Sequence, residues 1–245
     1  PEFLLTHPVT ESRIADTRNR AEQAKTGGTE DSLRYQLIRA RVQLNYEETP
    51  GLAAKRFRVL LDENPKNDVA RYGLAIAQIK GSQFNEAREN LKILLEKSPN
   101  DITYNLAQIE LDTASNRLAE AQQRVDRMRT LYPGNYPLNQ ARVDLLLKQN
   151  RPGEADKALE ALLKSRPDDP DVWYSVAETR GLSGNIIGLH QARAEYFALV
   201  GDYRQALQQL EFVKKLTNNF QLSSRIDARQ RDLLDQERAI KEMMN

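Results

Sequence analysis

Prolines stand at positions 65, 99, 133 and 167, three consecutive intervals of 34 residues. A period of that length means one supersecondary unit, repeated and stacked, because a single such unit cannot bury its apolar face alone. Twelve residues before each of these prolines is an alanine: Ala53, Ala87, Ala121 and Ala155. Four residues after each alanine comes Phe57, Leu91, Val125 or Leu159, and three further on Leu60, Leu94, Met128 or Leu162. An i, i+4, i+7 series is one stripe of a helix. The alanine at its head lets a partner helix come close, and the proline stops the helix. Asn and Asp around the prolines, in "NPKND", "SPND", "YPGN" and "RPDDPD", supply the turn and the cap of the next helix. The expectation is an all-α chain of stacked helix-turn-helix hairpins.

First helices of the hairpins read as "LRYQLIRARVQLNY", "DVARYGLAIAQIK", "TYNLAQIELDTA", "YPLNQARVDLLLKQ" and "DVWYSVAETRGL". The third is out of step, its Leu106–Ala107 pair falling early relative to Leu74–Ala75, which predicts a distorted turn near Ser115–Asn116. In the fifth unit Trp173, Val176 and Ala177 precede a turn at Gly184, and a second turn signal, Gly201 with Tyr203 and Ala206, follows 17 residues later. Half a period between turns predicts that the helix "IIGLHQARAEYFALV" serves two overlapping hairpins and tightens or redirects the superhelix. Ile226, Leu233 and Ile240 form a narrow stripe on an otherwise charged segment, 223–245, which suits a terminal capping helix with a polar outer face. In front of the array, a separate helix is expected from Pro8 to about Lys25, with Ile14 on its apolar side, then a linker "TGGTEDS" over 26–32. The expected division is therefore 1–25, linker 26–32, repeats 33–222 and cap 223–245.

Thirty-six Lys and Arg against 35 Asp and Glu leave a net charge of +1, which argues against affinity built on neutralising phosphates, so no nucleic acid partner is expected. The Lys55, Arg56 and Arg58 cluster reads as a solvated helix face. The absence of cysteine removes disulfides, thiolate nucleophiles and cysteine zinc sites. No apolar run approaches the roughly 18 residues of a membrane span. A mean hydropathy of −0.68 suits a structure with much surface per residue. The carboxylate pairs Glu47–Glu48 and Asp168–Asp169 sit at repeat turns and read as caps. The start at Pro1 rather than Met suggests a piece of a longer protein.

Residues 34 to about 218 resemble tetratricopeptide repeats, which implies a right-handed superhelical stack. The opening "LLTHPVTESRI" is similar to the end of the catalytic domain of bacterial HExxH zinc metallopeptidases, through Thr6, His7, Pro8, Arg13 and Ile14. A peptidase domain followed by such an array resembles the periplasmic family of beta-barrel assembly-enhancing proteases. That resemblance implies a peptidase tail at 1–25, a periplasmic location, zinc in the parent protein, and outer-membrane assembly machinery or unfolded barrel clients as partners. It also makes His7 a possible extra zinc ligand or gate in the intact enzyme. HExxH itself is absent, and His7 and His190, the only histidines, lack metal-ligand spacing, so no catalysis and no cofactor are expected in this chain. His190 reads as a packing or surface residue. The alternative is a stand-alone scaffold or adaptor with no peptidase in the same chain.

Stacked hairpins leave a groove lined by the first helices. The 34-residue frame turns Tyr35, Tyr46, Tyr72, Tyr174, Gln140, Asp144 and Glu178 toward it as candidate partner-binding residues. Tyrosines suit this use through ring contact and hydroxyl hydrogen bonds, with inter-repeat packing as the alternative for each. The lysine and asparagine clamp with which relatives of this repeat class hold a terminal carboxylate is missing: its places carry Ile38 with Val42, Tyr72 with Ile76, and Tyr174 with Glu178. A hydrophobic or strand-like client fits such a surface better than an acidic chaperone tail.

Overall fold

The computed structural model describes residues 10–23 and 31–243. The chain divides into two compact units, Pro1–Gln36 and Leu37–Asn245. In the first unit α1 (Thr10–Gln23) is a polar helix whose Ile14 is exposed and whose Asp16 and Arg20 pair at 2.7 Å one turn apart. His7, Pro8 and residues 26–30 of the expected linker lie outside the described residues. The second unit begins within α2 (Leu33–Leu44).

Every described element is a helix, as expected. After α2 come α3 (Pro50–Glu63), α4 (Asp68–Lys80), α5 (Phe84–Lys97), α6 (Ile102–Ala114) and α7 (Leu118–Leu131). They are followed by α8 (Tyr136–Lys148), α9 (Pro152–Ser165), α10 (Pro170–Leu182), α11 (Ile186–Leu199), α12 (Tyr203–Leu216) and α13 (Phe220–Met243). The residue two places after each periodic proline, Asn67, Asp101, Asn135 or Asp169, caps the following first helix by accepting from a backbone N–H. The four alanines of the frame are fully buried, and so are Leu91, Val125 and Leu159. Leu94, Met128 and Leu162 complete the stripe in three hairpins. Leu60 departs from it and is exposed, in the hairpin where α2 approaches α3 less closely than later partners approach each other.

The turn near Ser115–Asn116 is not distorted. Ser82, Asn116, Asn150 and Gly184, again 34 apart, all take φ between 57° and 74°, so one left-handed residue closes each of the four hairpins from α4–α5 to α10–α11 in the same way. The error lay in matching Leu106–Ala107 with Leu74–Ala75. In the frame Ala107 is the counterpart of Gly73, where small residues recur because the preceding second helix rides close.

The shared helix is observed: α11 packs on both α10 and α12, with left-handed glycines, Gly184 and Gly201, at its two turns. Gly181 and Gly188 let α10 and α11 close up, since a Cβ on either would fall within 2.8 Å of Leu189 or Arg180 side-chain atoms. Ile226 and Leu233 of α13 are buried against α12, whereas Ile240, expected in the same stripe, is 38% exposed. The reason is length. Twenty-four residues of helix extend about 36 Å and the 14 of α12 about 21 Å, so the end of α13 overhangs its support.

Candidate protein-binding groove

First helices pack on first helices: α4 touches α6 and α6 touches α8, while among the described residues no second helix makes a comparable contact with the next second helix. The array therefore bends toward its first helices, whose outward side chains line the inner curve. Asp144 stands on α8. It is exposed, yet the surrounding protein desolvates its carboxyl and, with Glu110 and Glu178 nearby, holds it above the ordinary carboxylate range against a hydrogen bond from Gln140.

Glu110, Asp144 and Glu178 occupy one frame position, 34 residues apart, on α6, α8 and α10. Glu110 is held by Arg41 at 2.9 Å, Asp144 accepts a long 3.5 Å bond from Gln140, and Glu178 is exposed with no ion pair or hydrogen bond among the described residues. Gln140 also donates to Ser175 at 3.3 Å and so ties α8 to α10. Tyr174 is exposed on α10, one helical turn before Glu178, with its ring edge-on to Tyr196 at 5.6 Å. Gln140, Asp144, Tyr174 and Glu178 are thus brought together on adjoining helices.

Tyr72 and Tyr46 are not part of this surface. Tyr72 is 1% exposed; its hydroxyl accepts from Arg41 Nε at 2.9 Å and its ring lies 6.0 Å from that of Tyr104. Burial pushes the Tyr72 phenol up despite Arg41, and Tyr72 and Glu110 together outweigh the burial of the Arg41 guanidinium and hold it above its own range. It packs between repeats and has no ring to offer a partner. Tyr46 lies past the end of α2, in the turn, and is 85% exposed. The first helix ends at Leu44, two residues short of the expected Tyr46. Tyr35 is exposed in the first turn of α2 and belongs to the N-terminal unit. Sequence reasoning passed over Arg41, Glu110 and Tyr196. The 34-residue recurrence of acidic side chains at 110, 144 and 178 was the available signal for Glu110, whereas Arg41 reaches across 69 residues and leaves no local trace.

His190 hydrogen-bonds Gln209 at 2.8 Å through Nδ1 and lies tilted against the Phe212 ring at 5.1 Å, a packing role. Among the described residues no three His, Asp or Glu side chains converge to hold a metal. No described helix is long and apolar enough to cross a membrane.

A helical-hairpin array closed by the same turn every 34 residues, with an open inner face, defines the class: the chain belongs to the tetratricopeptide repeat family, whose model matches residues 46–109 and 112–178. It is therefore a protein–protein interaction domain. Among individual proteins it is similar to the putative beta-barrel assembly-enhancing protease of Vibrio cholerae, 34% identical over 240 residues, 96% of this chain and 49% of that protein. The beta-barrel assembly-enhancing protease of Yersinia pestis is 29% identical over 212 residues, 84% of this chain and 43% of that protein. The chain thus spans less than half the length of these relatives. The crystal structure of PilW, a type IV pilus biogenesis factor, shares the fold with a TM-score of 0.57 at 20% identity, covering 86% of this chain and 98% of that one.

Proposed function

We propose that this chain is the protein-recruiting part of a periplasmic zinc metallopeptidase that assists assembly of outer-membrane β-barrels. Its groove binds either the assembly machinery or unfolded barrel clients and so brings them to the peptidase. The names and extent of the relatives support the peptidase, and the inner face of α8 and α10 supports the docking. One observation carries the groove: Asp144, Glu178 and Tyr174 stand open on the first helices α8 and α10, which the Gln140–Ser175 hydrogen bond joins. With only two histidines and no cysteine, this chain's residues do not fit a zinc site, so we place zinc ligation in the peptidase domain and His7 at most at its margin.

The test is binding of a purified, unfolded outer-membrane β-barrel protein, and of the purified assembly machinery, to the full-length protein. Tyr174→Ala with Glu178→Arg is expected to weaken one of the two about tenfold, the scale of one or two interface side chains, with helical content unchanged. Equal binding of both by the variant would overturn the groove assignment.

A further inference from the structure

The outer side of the array carries a feature that the groove does not use. Second helices α5 and α7 flank a cleft of about 450 Å³, with Gln108 and Asp112 of α6 buried at its floor. Five cations and three carboxylates line it. Two of the cations are already satisfied: Arg88 holds Asp112 at 2.6 Å, and Arg117 holds Glu120 at 2.7 Å. Lys92, Arg124 and Arg127 have no carboxylate partner among the described residues. Arg124 donates from Nη1 to Asn105 at 2.9 Å while its Nε is buried without an acceptor, and Arg127 reaches only the neutral oxygens of Pro99 and Asn100, at 2.9 and 2.7 Å. Lys92 is exposed on α5.

The repeat frame does not require these charges. One period before Arg124 and Arg127 stand Asn90 and Ile93; one period after stand Ala158 and Ala161. Arg124 takes the opposite side of a contact that recurs between repeats: Arg71 on a first helix donates to Asn90 on a second, whereas in the next repeat Asn105 on the first helix accepts from Arg124 on the second. The guanidinium thus stands on the cleft wall rather than on the first-helix side of the contact.

We propose that this cleft is a second docking site, which takes an acidic stretch of a protein partner. Glu96, Asp112 and Glu120 leave the lining an excess of two positive charges, and the cations without a carboxylate stand on both walls, Lys92 on α5 and Arg124 and Arg127 on α7, so the spaced carboxylates of an acidic stretch can each take one through a charge-assisted bond. Leu95 and Pro99 give the occupant an apolar wall. Burial, with Arg127 and Arg88 and against the attraction of Asp112, holds Arg124 below the ordinary guanidinium range.

The experiment is fluorescence anisotropy at low salt with the full-length protein and a short labelled peptide rich in glutamate and aspartate, against its glutamine and asparagine counterpart. The acidic peptide is expected to bind and the amide peptide not. Lys92→Glu should weaken binding about threefold, and Lys92→Glu with Arg124→Gln at least about tenfold, as expected for charged interface groups. Lys148→Glu, a lysine outside the cleft, and Tyr174→Ala in the groove should leave binding unchanged. Lys92 is exposed, so its variant keeps the test meaningful if Arg124→Gln disturbs folding. Equal binding of the two peptides, or acidic-peptide binding undiminished by Lys92→Glu, overturns the proposal. So does cleft-dependent binding of inorganic phosphate or of phosphatidylglycerol vesicles without binding of the peptide.

Discussion

At Gly73, on the first helix α4, even a methyl group has no room, because a Cβ there would collide with the Phe57 ring. The next repeat has the same contact at a different size, Leu91 and Ala107, both fully buried. A wide ring needs a bare backbone, and a narrower side chain leaves space for a methyl. Gly73→Ala gains about 1 kcal/mol of helix propensity but overpacks the core by about 1–3 kcal/mol, so a net loss of up to about 2 kcal/mol is expected on denaturant unfolding. Phe57→Leu with Gly73→Ala should recover most of that loss, and the coupling is read from a double-mutant cycle. Additive losses would show that the two side chains do not share this space. A second interchange at one place is the donor to the periodic proline carbonyls. Arg71 donates to Pro65, Asn105 to Pro99 and Trp173 to Pro167, at 2.8, 3.0 and 2.7 Å, so three unlike side chains do one job.

Between elements, the joint from one second helix to the next first helix has its charges in either order. Arg88 on α5 pairs with Asp112 on α6, and two repeats later Asp156 on α9 pairs with Arg180 on α10. Asp112 is 2% exposed and also accepts from Gln108 at 2.9 Å. Arg88→Ala is expected to cost about 2–3 kcal/mol, somewhat under the 3–5 typical of breaking a buried pair, since Gln108 remains. The swap Arg88→Asp with Asp112→Arg should regain more than half in chemical denaturation, because the reversed order already fits the equivalent place. At this scale the sequence was informative about spacing and poor about cover. Prolines, alanines and Asn or Asp caps act within one helix or turn, so the period located them. Burial of Tyr72 depends on Arg41 folding over it from 31 residues away and on Glu110 holding that arginine, and no local pattern encodes a contact of that separation. The same frame position is exposed at Ile38 and Tyr174. A repeat register sets where a Cα–Cβ bond points, and a long neighbouring side chain then decides whether solvent reaches it.

Across the array, Tyr72 and Tyr104 form an internal aromatic pair whose phenols both resist ionisation. Burial pushes Tyr104 up to about 12 from 10.0. A phenol whose folded value is raised stabilises the fold fully below about pH 10, and that stabilisation disappears as pH rises through the folded value. Unfolding free energy is therefore expected to fall between about pH 10 and 12, with Tyr104 contributing up to about 2–3 kcal/mol of the drop. Tyr104→Phe should flatten that limb in urea titrations across the range. An unchanged slope would mean that the phenol ionises as freely in the fold as in the unfolded chain.

The double duty of α11 bears on how such a chain can change length. A helix that ends one hairpin and begins the next lets assembly proceed in steps of 17 residues as well as 34, with only a glycine turn at each side. Growth or trimming by a single helix is then geometrically permitted at this point, and each such step exchanges which flank of the stack the following helix presents.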